Sequence, residues 1–295
     1  MTGVESVLNA WLILGPSGMM IVGIFSILFW REWMKRESGK GVPLKFFIFG
    51  GLLWAAAIIP KFIMDYTVTQ PLYGWWASWF GGFGALILLG VYVGLRTGIF
   101  ECGAAYLGFR GFARKTTPAN ESGGDDESSK EGTFWQKIGY GEAVAVGVGF
   151  GAFEAIVLAL PSLVQMAAIF LDPSILSGLP PEQVAAIESQ LSQPTWMAAA
   201  AAWERAFAIL AHVFATTLAY LAVVHRSLVL LGGAVAYKSM LDAPIPILQA
   251  SLASSPHYVV ITEAFVAIMG LIGLLGMLNI DRIAPRGTNV IRNGQ

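Results

Sequence analysis

The chain has 295 residues, of which 56% are hydrophobic and only 13% are charged, and its mean hydropathy is +0.64. A soluble domain carries about 25% charged residues, so this composition excludes a soluble globular protein and indicates an integral membrane protein. The net charge of -1 argues against a nucleic-acid partner, and the single cysteine excludes both an internal disulfide and a metal cluster held by cysteines alone.

Seven stretches are apolar enough to cross a bilayer, which takes about 20 mostly apolar residues per helix. No Lys or Arg precedes Arg31, so the first stretch lacks the basic region of a cleavable signal peptide and is expected to stay as a span. We therefore predict an all-α fold, a polytopic membrane helical bundle that forms a single domain. The predicted spans are 7–30, 43–64, 83–109, 139–170, 197–224, 227–249 and 259–280.

Basic residues are concentrated on one side of this predicted bundle. They occupy the loops 31–42 and 110–138, the turn at Arg226 and the C-terminal tail, whereas the loop 172–195 holds three acidic residues and no basic one. Cytoplasmic loops of membrane proteins are enriched in Lys and Arg. We therefore predict that the N-terminus lies outside and the C-terminus in the cytoplasm, with the protein in the cell (plasma) membrane and membrane lipids as its surroundings and partners.

Two loops differ in character. Residues 116–133 are polar, acidic and rich in Gly and Ser, which favours a disordered cytoplasmic loop. Residues 178–195 instead contain Pro181, which suits a first helical turn, followed by Glu182 near the positive helix end and by an amphipathic run. This second pattern predicts a short helix on the outer side.

Ionisable residues inside the spans are the candidates for function, because a charged side chain at the bilayer centre costs about 2.5–3.5 kcal/mol on insertion scales. Glu204 and His212 share a helix face, since eight residues correspond to a rotation of about 80°. Lys238 and Asp242 are four residues apart and can pair within one helix. Further candidates are Glu101, Cys102, Glu154, Arg205 and Glu263, while Arg96 has no evident partner.

Several carboxylates and a histidine inside one bundle are typical of a metal site or of a proton or cation pathway. We predict that five of them face one interior space, because isolated charges facing lipid are too costly: Glu101, Glu154, Glu204, His212 and Asp242. A structural interpretation stays open as well, with neutralising pairs Glu204–Arg205 and Lys238–Asp242, a hydrogen-bonded core histidine at His212 and a small apolar side chain at Cys102.

The third span carries the motif "GIFECGAAYLGFR", which resembles the Gly-hydrophobic-Phe-Glu-Glu-x-x-Arg span of the YhfC-type membrane proteins. These are seven-span proteins regarded as intramembrane metal-dependent peptidases, related to the CAAX-processing and PrsW-type membrane proteases. Glu101 matches the first glutamate, whereas Cys102 stands at the second and Ala105 at the arginine. The resemblance runs from about residue 5 to residue 280, with the loop 116–133 as an addition.

Three further motifs carry the same resemblance on later spans. "GVGFGAFEAI" is similar to the family's Gly-x-Gly-His-Gly-Gly-x-Glu-Ala, with Glu154 kept and Phe150 in place of the histidine. "ERAFAILAH" keeps the Glu-Arg pair and the histidine that follows it. "KSMLDAP" is similar to His-x-x-x-Asp, with Asp242 kept and Lys238 in place of the histidine.

The resemblance implies a divalent metal, zinc, held by His and Glu ligands, and a carboxylate that activates the bound water. Two of the three expected histidines and one of the paired glutamates are replaced, and the ammonium of Lys238 repels a metal. For an active enzyme, the resemblance implies Glu101, Glu154 and Glu204 as catalytic residues, His212, Asp242 and Glu154 as metal ligands, and Arg205, Lys238 and Cys102 as a structural polar core.

These departures favour a divergent or catalytically inactive relative that keeps the fold to bind membrane helices or lipids and holds no metal. An active, divergent metal-dependent intramembrane peptidase is the first alternative. A proton- or cation-linked transporter that uses the acidic core is the second, although no pair of helices broken by Gly or Pro occupies matching halves of the chain.

Reporter fusions test the predicted orientation. A reporter after Gln295 or near Gly123 is expected in the cytoplasm and one at Ser189 outside, because the basic loops stay on the cytoplasmic side. The measurement compares one reporter that is active only in the cytoplasm with one that is active only outside. Finding Ser189 and Gly123 on the same side would contradict the seven-span prediction.

Overall fold

The computed structural model describes residues 9–39, 41–115, 138–252, 255 and 257–283, so the loop predicted at 116–133 lies outside the described residues. Within these ranges the chain is helical and contains no strand. The α-helices are α1 Leu14–Ser38, α2 Leu44–Met64, α3 Gln70–Lys115, α4 Tyr140–Leu171, α5 Pro181–Leu191, α6 Trp196–Val224, α7 Leu228–Asp242, α8 Pro244–Leu252, α9 Tyr258–Leu278 and α10 Ile280–Ile283. Short 3₁₀ helices cover Ala10–Ile13 and Pro173–Gly178, and a π-helix covers Asp65–Thr69.

Six helices of the described chain are long and apolar enough to cross a membrane. The protein is therefore an all-α polytopic membrane protein, and the predicted fold class is confirmed. The candidate Leu44–Gly111 has 68 residues, which would extend about 100 Å if straight. That length is about three times the 30 Å hydrocarbon layer, so this candidate needs a separate explanation.

The long candidate folds back on itself at Gly81, where the backbone has φ 70° and ψ 173°. A glycine suits this conformation because it has no Cβ to clash. Contacts then link residues on the two sides of the bend, as in an antiparallel helical hairpin: Lys61 with Glu101, Asp65 with Arg96, and Thr69 with Tyr92. The hairpin contains the two predicted spans 43–64 and 83–109. The aromatic and glycine-rich lead-in to the second of these spans predicts a bend at Gly81-Gly82, and the structure places it at Gly81.

Helix α6 lies at the centre of the bundle, where it packs against α1, α3, α4, α7 and α9. Helix α4 packs against α1, α2 and α6, and α7 packs against α3 and α6. The short helix α5 begins at Pro181 and is fixed by the buried Leu191, whose carbonyl accepts a hydrogen bond from the backbone N–H of Asn9. The side of the membrane on which α5 lies stays a prediction.

Glycines let α7 approach α3 closely. Gly90, Gly94 and Gly98 recur every four residues on one face of α3, and a Cβ on Gly98 would lie 2.6 Å from the Val235 carbonyl oxygen and 2.4 Å from Ser239 Oγ. Small residues at this spacing allow membrane helices to pack backbone against backbone. This contact brings the middle of α7 next to the middle of α3.

A similar contact joins α4 to α6. A Cβ on Gly147 would lie 2.7 Å from Val213 Cα, and a Cβ on Gly151 would lie 2.9 Å from Ile209 Cα and 3.2 Å from His212 Cδ2. The two backbones therefore run close together on either side of the histidine. We call these two close contacts the α3–α7 seam and the α4–α6 seam. Together they bring polar residues of four helices within contact distance.

Replacing Gly98 with alanine tests the first seam. The new Cβ would collide with the Val235 carbonyl, so α3 and α7 must separate, and we expect Gly98→Ala to lower the free energy of unfolding by about 1–3 kcal/mol. Gly103 on the same helix is the matched control, because a Cβ there has no described atom within 4 Å. Gly103→Ala is expected to be neutral or stabilising, by up to about 1 kcal/mol, through helix propensity. Thermal unfolding in detergent measures both variants, and equal effects would contradict the seam.

Candidate functional site

Four helices bring polar side chains to one level near the middle of the bundle. Glu101 of α3, Glu154 of α4, His212 of α6 and Lys238 of α7 lie about 15–21 Å along their helices from the ends at residues 115, 140, 224 and 228. These ends share one side of the bundle, where Tyr220 contacts the Phe109 ring and donates to the Ile138 carbonyl. In a hydrocarbon layer of about 30 Å, this level is close to the centre.

The carboxylate of Glu101 lies between two lysines. Lys61 of α2 donates a hydrogen bond to Glu101 Oε1. Lys238 Nζ lies 3.2 Å from the other oxygen, Oε2, as an ion-pair contact rather than an aligned hydrogen bond. All three side chains are buried. Each oxygen of this membrane-embedded carboxylate therefore has its own ammonium group.

The imidazole of His212 lies between two carboxylates and a lysine. Its Nε2 is 3.0 Å from Glu154 Oε2 and 3.4 Å from Lys238 Nζ, and its Nδ1 is 3.8 Å from Glu101 Oε2. The ring of Phe150 packs against it at a centroid distance of 5.0 Å. Phe150, which stands where the family motif has a histidine, thus covers the His212 ring with an apolar ring.

Glu154 is held by three donors and continues the network towards one end of the bundle. Its Oε1 accepts from Arg205 Nη1 at 2.7 Å, and its Oε2 accepts from the indole N–H of Trp54 at 2.8 Å, in addition to the contact with His212. The other guanidinium nitrogen of Arg205 donates to Glu204. Arg205 therefore links the central carboxylate to a carboxylate nearer the end of α6.

Glu204 corrects the expectation that five predicted residues face one interior space. Its side chain is 32% exposed and bonds to Arg205 instead of sharing the space around His212. The reason is that Glu204 and His212 are eight positions apart, about 12 Å along the helix, which places them at different depths. Glu101, His212 and Asp242 do converge around Lys238, and Glu154 joins them through His212. Glu204 lies at the rim of this group.

Asp242 and Cys102 complete the neighbourhood. Asp242 Oδ2 is 3.8 Å from Lys238 Nζ, so the pair that the four-residue spacing predicts is present, with the Asp242 side chain 26% exposed. The thiol of Cys102 is free and buried. A cavity of about 10 Å³, roughly the room for one water molecule, is lined by Glu101, Cys102, Phe150, His212, Ala215, Thr216 and Lys238.

Sequence reasoning missed Lys61 and the partner of Arg96. Lys61 lies near the end of an apolar span, where a lysine is normally expected to extend its ammonium to the membrane surface. The partner of Arg96 is Asp65, which accepts from both guanidinium Nη atoms. The spacing of these residues in the sequence matches the observed pairing. Lys61 and Asp65 are four residues apart on one side of the hairpin, and their partners Glu101 and Arg96 are five residues apart on the antiparallel side.

The residues do not fit a divalent metal. Among the described residues, no group of three or more His, Cys, Asp and Glu side chains is arranged to hold one. Zinc ligands must direct free lone pairs at one point about 2 Å away. Here the ammonium of Lys238 contacts Glu101, His212 and Asp242, and occupies the region where a shared metal would have to lie.

Comparison with known proteins decides the family. The family model described as YhfC intramembrane metalloprotease matches residues 18–124 and 133–266. The chain belongs to the YhfC family. This confirms the resemblance seen in the motifs, and it supports an intramembrane-peptidase-like fold and a membrane location. No curated protein and no solved structure matches the chain.

Removing Arg205 tests the network of this YhfC protein. Arg205→Met leaves Glu154 and Glu204 without their shared cation, and breaking a buried pair costs about 3–5 kcal/mol. We expect a matching loss in the free energy of unfolding, measured in detergent. Arg110 is the control, because it is exposed near the end of α3, and Arg110→Met is expected to change stability little. Similar losses in both variants would contradict the assigned role of Arg205.

Proposed function

We propose that this YhfC protein is a non-catalytic member of its family that keeps the intramembrane-peptidase fold in order to bind transmembrane helices in the plasma membrane. One observation carries the proposal. Lys238 Nζ lies 3.2 Å from Glu101 and 3.4 Å from His212, so a cation that belongs to the chain stands among the residues that would bind a metal.

The donor pattern around Glu154 supports the same conclusion. A metal-dependent peptidase needs a metal-bound water and a carboxylate free to take its proton. Glu154 instead accepts from Arg205 and Trp54 and contacts His212. Both oxygens of Glu101 face ammonium groups. The two central carboxylates are therefore engaged in holding helices together.

The alternative of an active enzyme is favoured by family membership and by the convergence of Glu101, Glu154 and His212 at one depth. It requires the ion pairs to open and a metal to displace Lys238. Each opened pair leaves charge unpaired in the bundle, which costs several kcal/mol per ion. The closed, self-paired arrangement is therefore the one that the geometry favours.

The rim of the polar core offers a place for a partner helix. Glu204 is partly exposed, and the neighbouring Trp203 is 52% exposed on the same turn of α6. A transmembrane segment lying along this edge can bury the Trp203 ring and reach the Glu204 carboxylate. Tryptophan is enriched among the residues that contribute most of the binding energy at protein interfaces.

A photo-crosslinking amino acid at position 203 tests this proposal in cells. With the crosslinker replacing Trp203, we expect adducts to uncut transmembrane segments, identified by mass spectrometry. Trp33 on α1 is the matched control, since it is also an exposed tryptophan, at 49%, and should give no such adducts.

Each other outcome changes the proposal. Adducts to a particular lipid at position 203, absent at position 33, would replace the helix by a lipid as the ligand. If the adducts contain cleaved segments, and if the cleavage stops when a chelator is added, the protein is an active metal-dependent peptidase. Equal labelling from positions 203 and 33 would exclude binding at this edge.

A further inference from the structure

We infer that Lys61 and Lys238 together supply the double positive charge that a divalent metal would bring to this core, so that the chain carries its own replacement for the metal. The inference deepens the proposed function and rests on it, because a metal-free core must be neutralised in another way. It assigns a role to Lys61, which belongs to none of the family-like motifs.

The geometry places the two ammonium groups on one carboxylate. Lys61 comes from α2 and Lys238 from α7, and Glu101 lies between them on α3, with one lysine at each of its oxygens. The side chains of Lys61, Glu101 and Lys238 are only 7%, 5% and 5% exposed. Neither lysine therefore extends to the membrane surface, as lysines near helix ends usually do.

Charge balance explains why two lysines are needed. The carboxylates of the connected group carry four negative charges, of which Arg205 neutralises one. The two lysines neutralise two more, as one divalent ion would. The remaining negative charge falls to the two partly exposed carboxylates, which water can reach: Glu204 and Asp242.

The fold fixes both lysines in place. The carbonyl of Lys61 accepts a hydrogen bond from Arg96 at 3.4 Å, and Arg96 is itself paired with Asp65 in the π-helix that follows α2. Lys238 precedes Ser239, which lies against Gly98 in the seam between α3 and α7. π-Helical turns are rare in proteins, and those that do occur are often found at functional sites. Here it turns Asp65 towards Arg96 and so secures the end of α2.

Two ammonium groups and one metal differ in a way that can be measured. A metal draws its ligands to about 2 Å around a single point, whereas the lysines hold Glu101 from two sides. Metal binding should therefore stay blocked until both lysines are removed. The native chain should be equally stable with zinc and with a chelator, because a ligand stabilises a protein only when it binds the folded state.

The experiment uses the full-length protein in detergent and measures its melting temperature and its zinc content by elemental analysis. Native protein is expected to hold no stoichiometric zinc and to melt at one temperature with zinc or with a chelator. Lys61→Met and Lys238→Met are each expected to lower the melting temperature by about 10 °C, since each leaves a buried carboxylate short of a cation. Lys35→Met, which removes an exposed lysine 3.9 Å from Glu32, is the control and should have little effect.

The double variant Lys61→Met/Lys238→His completes the test. It removes both ammonium groups and adds an imidazole beside Glu101, His212 and Asp242, so it is expected to bind about one zinc per chain and to gain thermal stability from it. Failure of the double variant to take up zinc while folded would overturn the inference. If that variant does not fold, the native protein still decides the matter, because stoichiometric zinc whose removal lowers the melting temperature would equally overturn it.

These outcomes are separate from those of the proposed function. A metal-free native protein without adducts at position 203 would leave the lysine inference standing and exclude helix binding there. Native protein with bound zinc that still crosslinks uncut helices would exclude the lysine inference and leave helix binding standing.

Discussion

The rest of this structure depends on one constraint: the charges that lie at the depth of Glu101 and His212 must meet opposite charges inside the membrane. Glu101 shows how far the constraint reaches, because its carboxylate takes one cation from α2 and another from α7 while belonging to α3. An unpaired ion at this depth would cost several kcal/mol. Three helices are therefore fixed relative to one another by a single side chain.

Pairing at this depth requires helices that lie unusually close. Ion pairs and hydrogen bonds act over about 3 Å, which ordinary helix spacing of 8–10 Å does not guarantee for side chains of every length. The glycines at Gly98 and Gly151 remove the Cβ atoms that would hold α7 and α4 away. Packing and electrostatics thus depend on each other, since the seams place the charges and the charges hold the seams together.

The sequence predicts the parts of this arrangement that lie within one helix or one short motif. Hydropathy predicts the spans, a glycine pair predicts the bend at Gly81, and a four-residue spacing predicts the pairing of Lys238 with Asp242. Periodicity does not show which helices are neighbours, so it gives no reason to single out Lys61 as a partner of Glu101. For Glu204 the structural interpretation predicted the partner, Arg205, whereas the expectation that its carboxylate faces the same space as His212 was wrong.

Three of the positions that depart from the family-like motifs lie together in the bundle, whereas Ala105 is not part of this group. Cys102, Phe150 and Lys238 line one cavity of about 10 Å³ together with Glu101 and His212. Two of the three changes replace a ligand-type side chain by one that packs as a small or aromatic apolar group, and Phe150 covers the face of His212. The third change adds a cation opposite the remaining carboxylate. Removing donors alone would leave Glu101 short of positive charge, and adding a lysine alone would set a cation among intact metal ligands. Because both kinds of change meet at one cavity, apolar packing and an ion pair lie together at positions where the family-like motifs have ligand-type side chains.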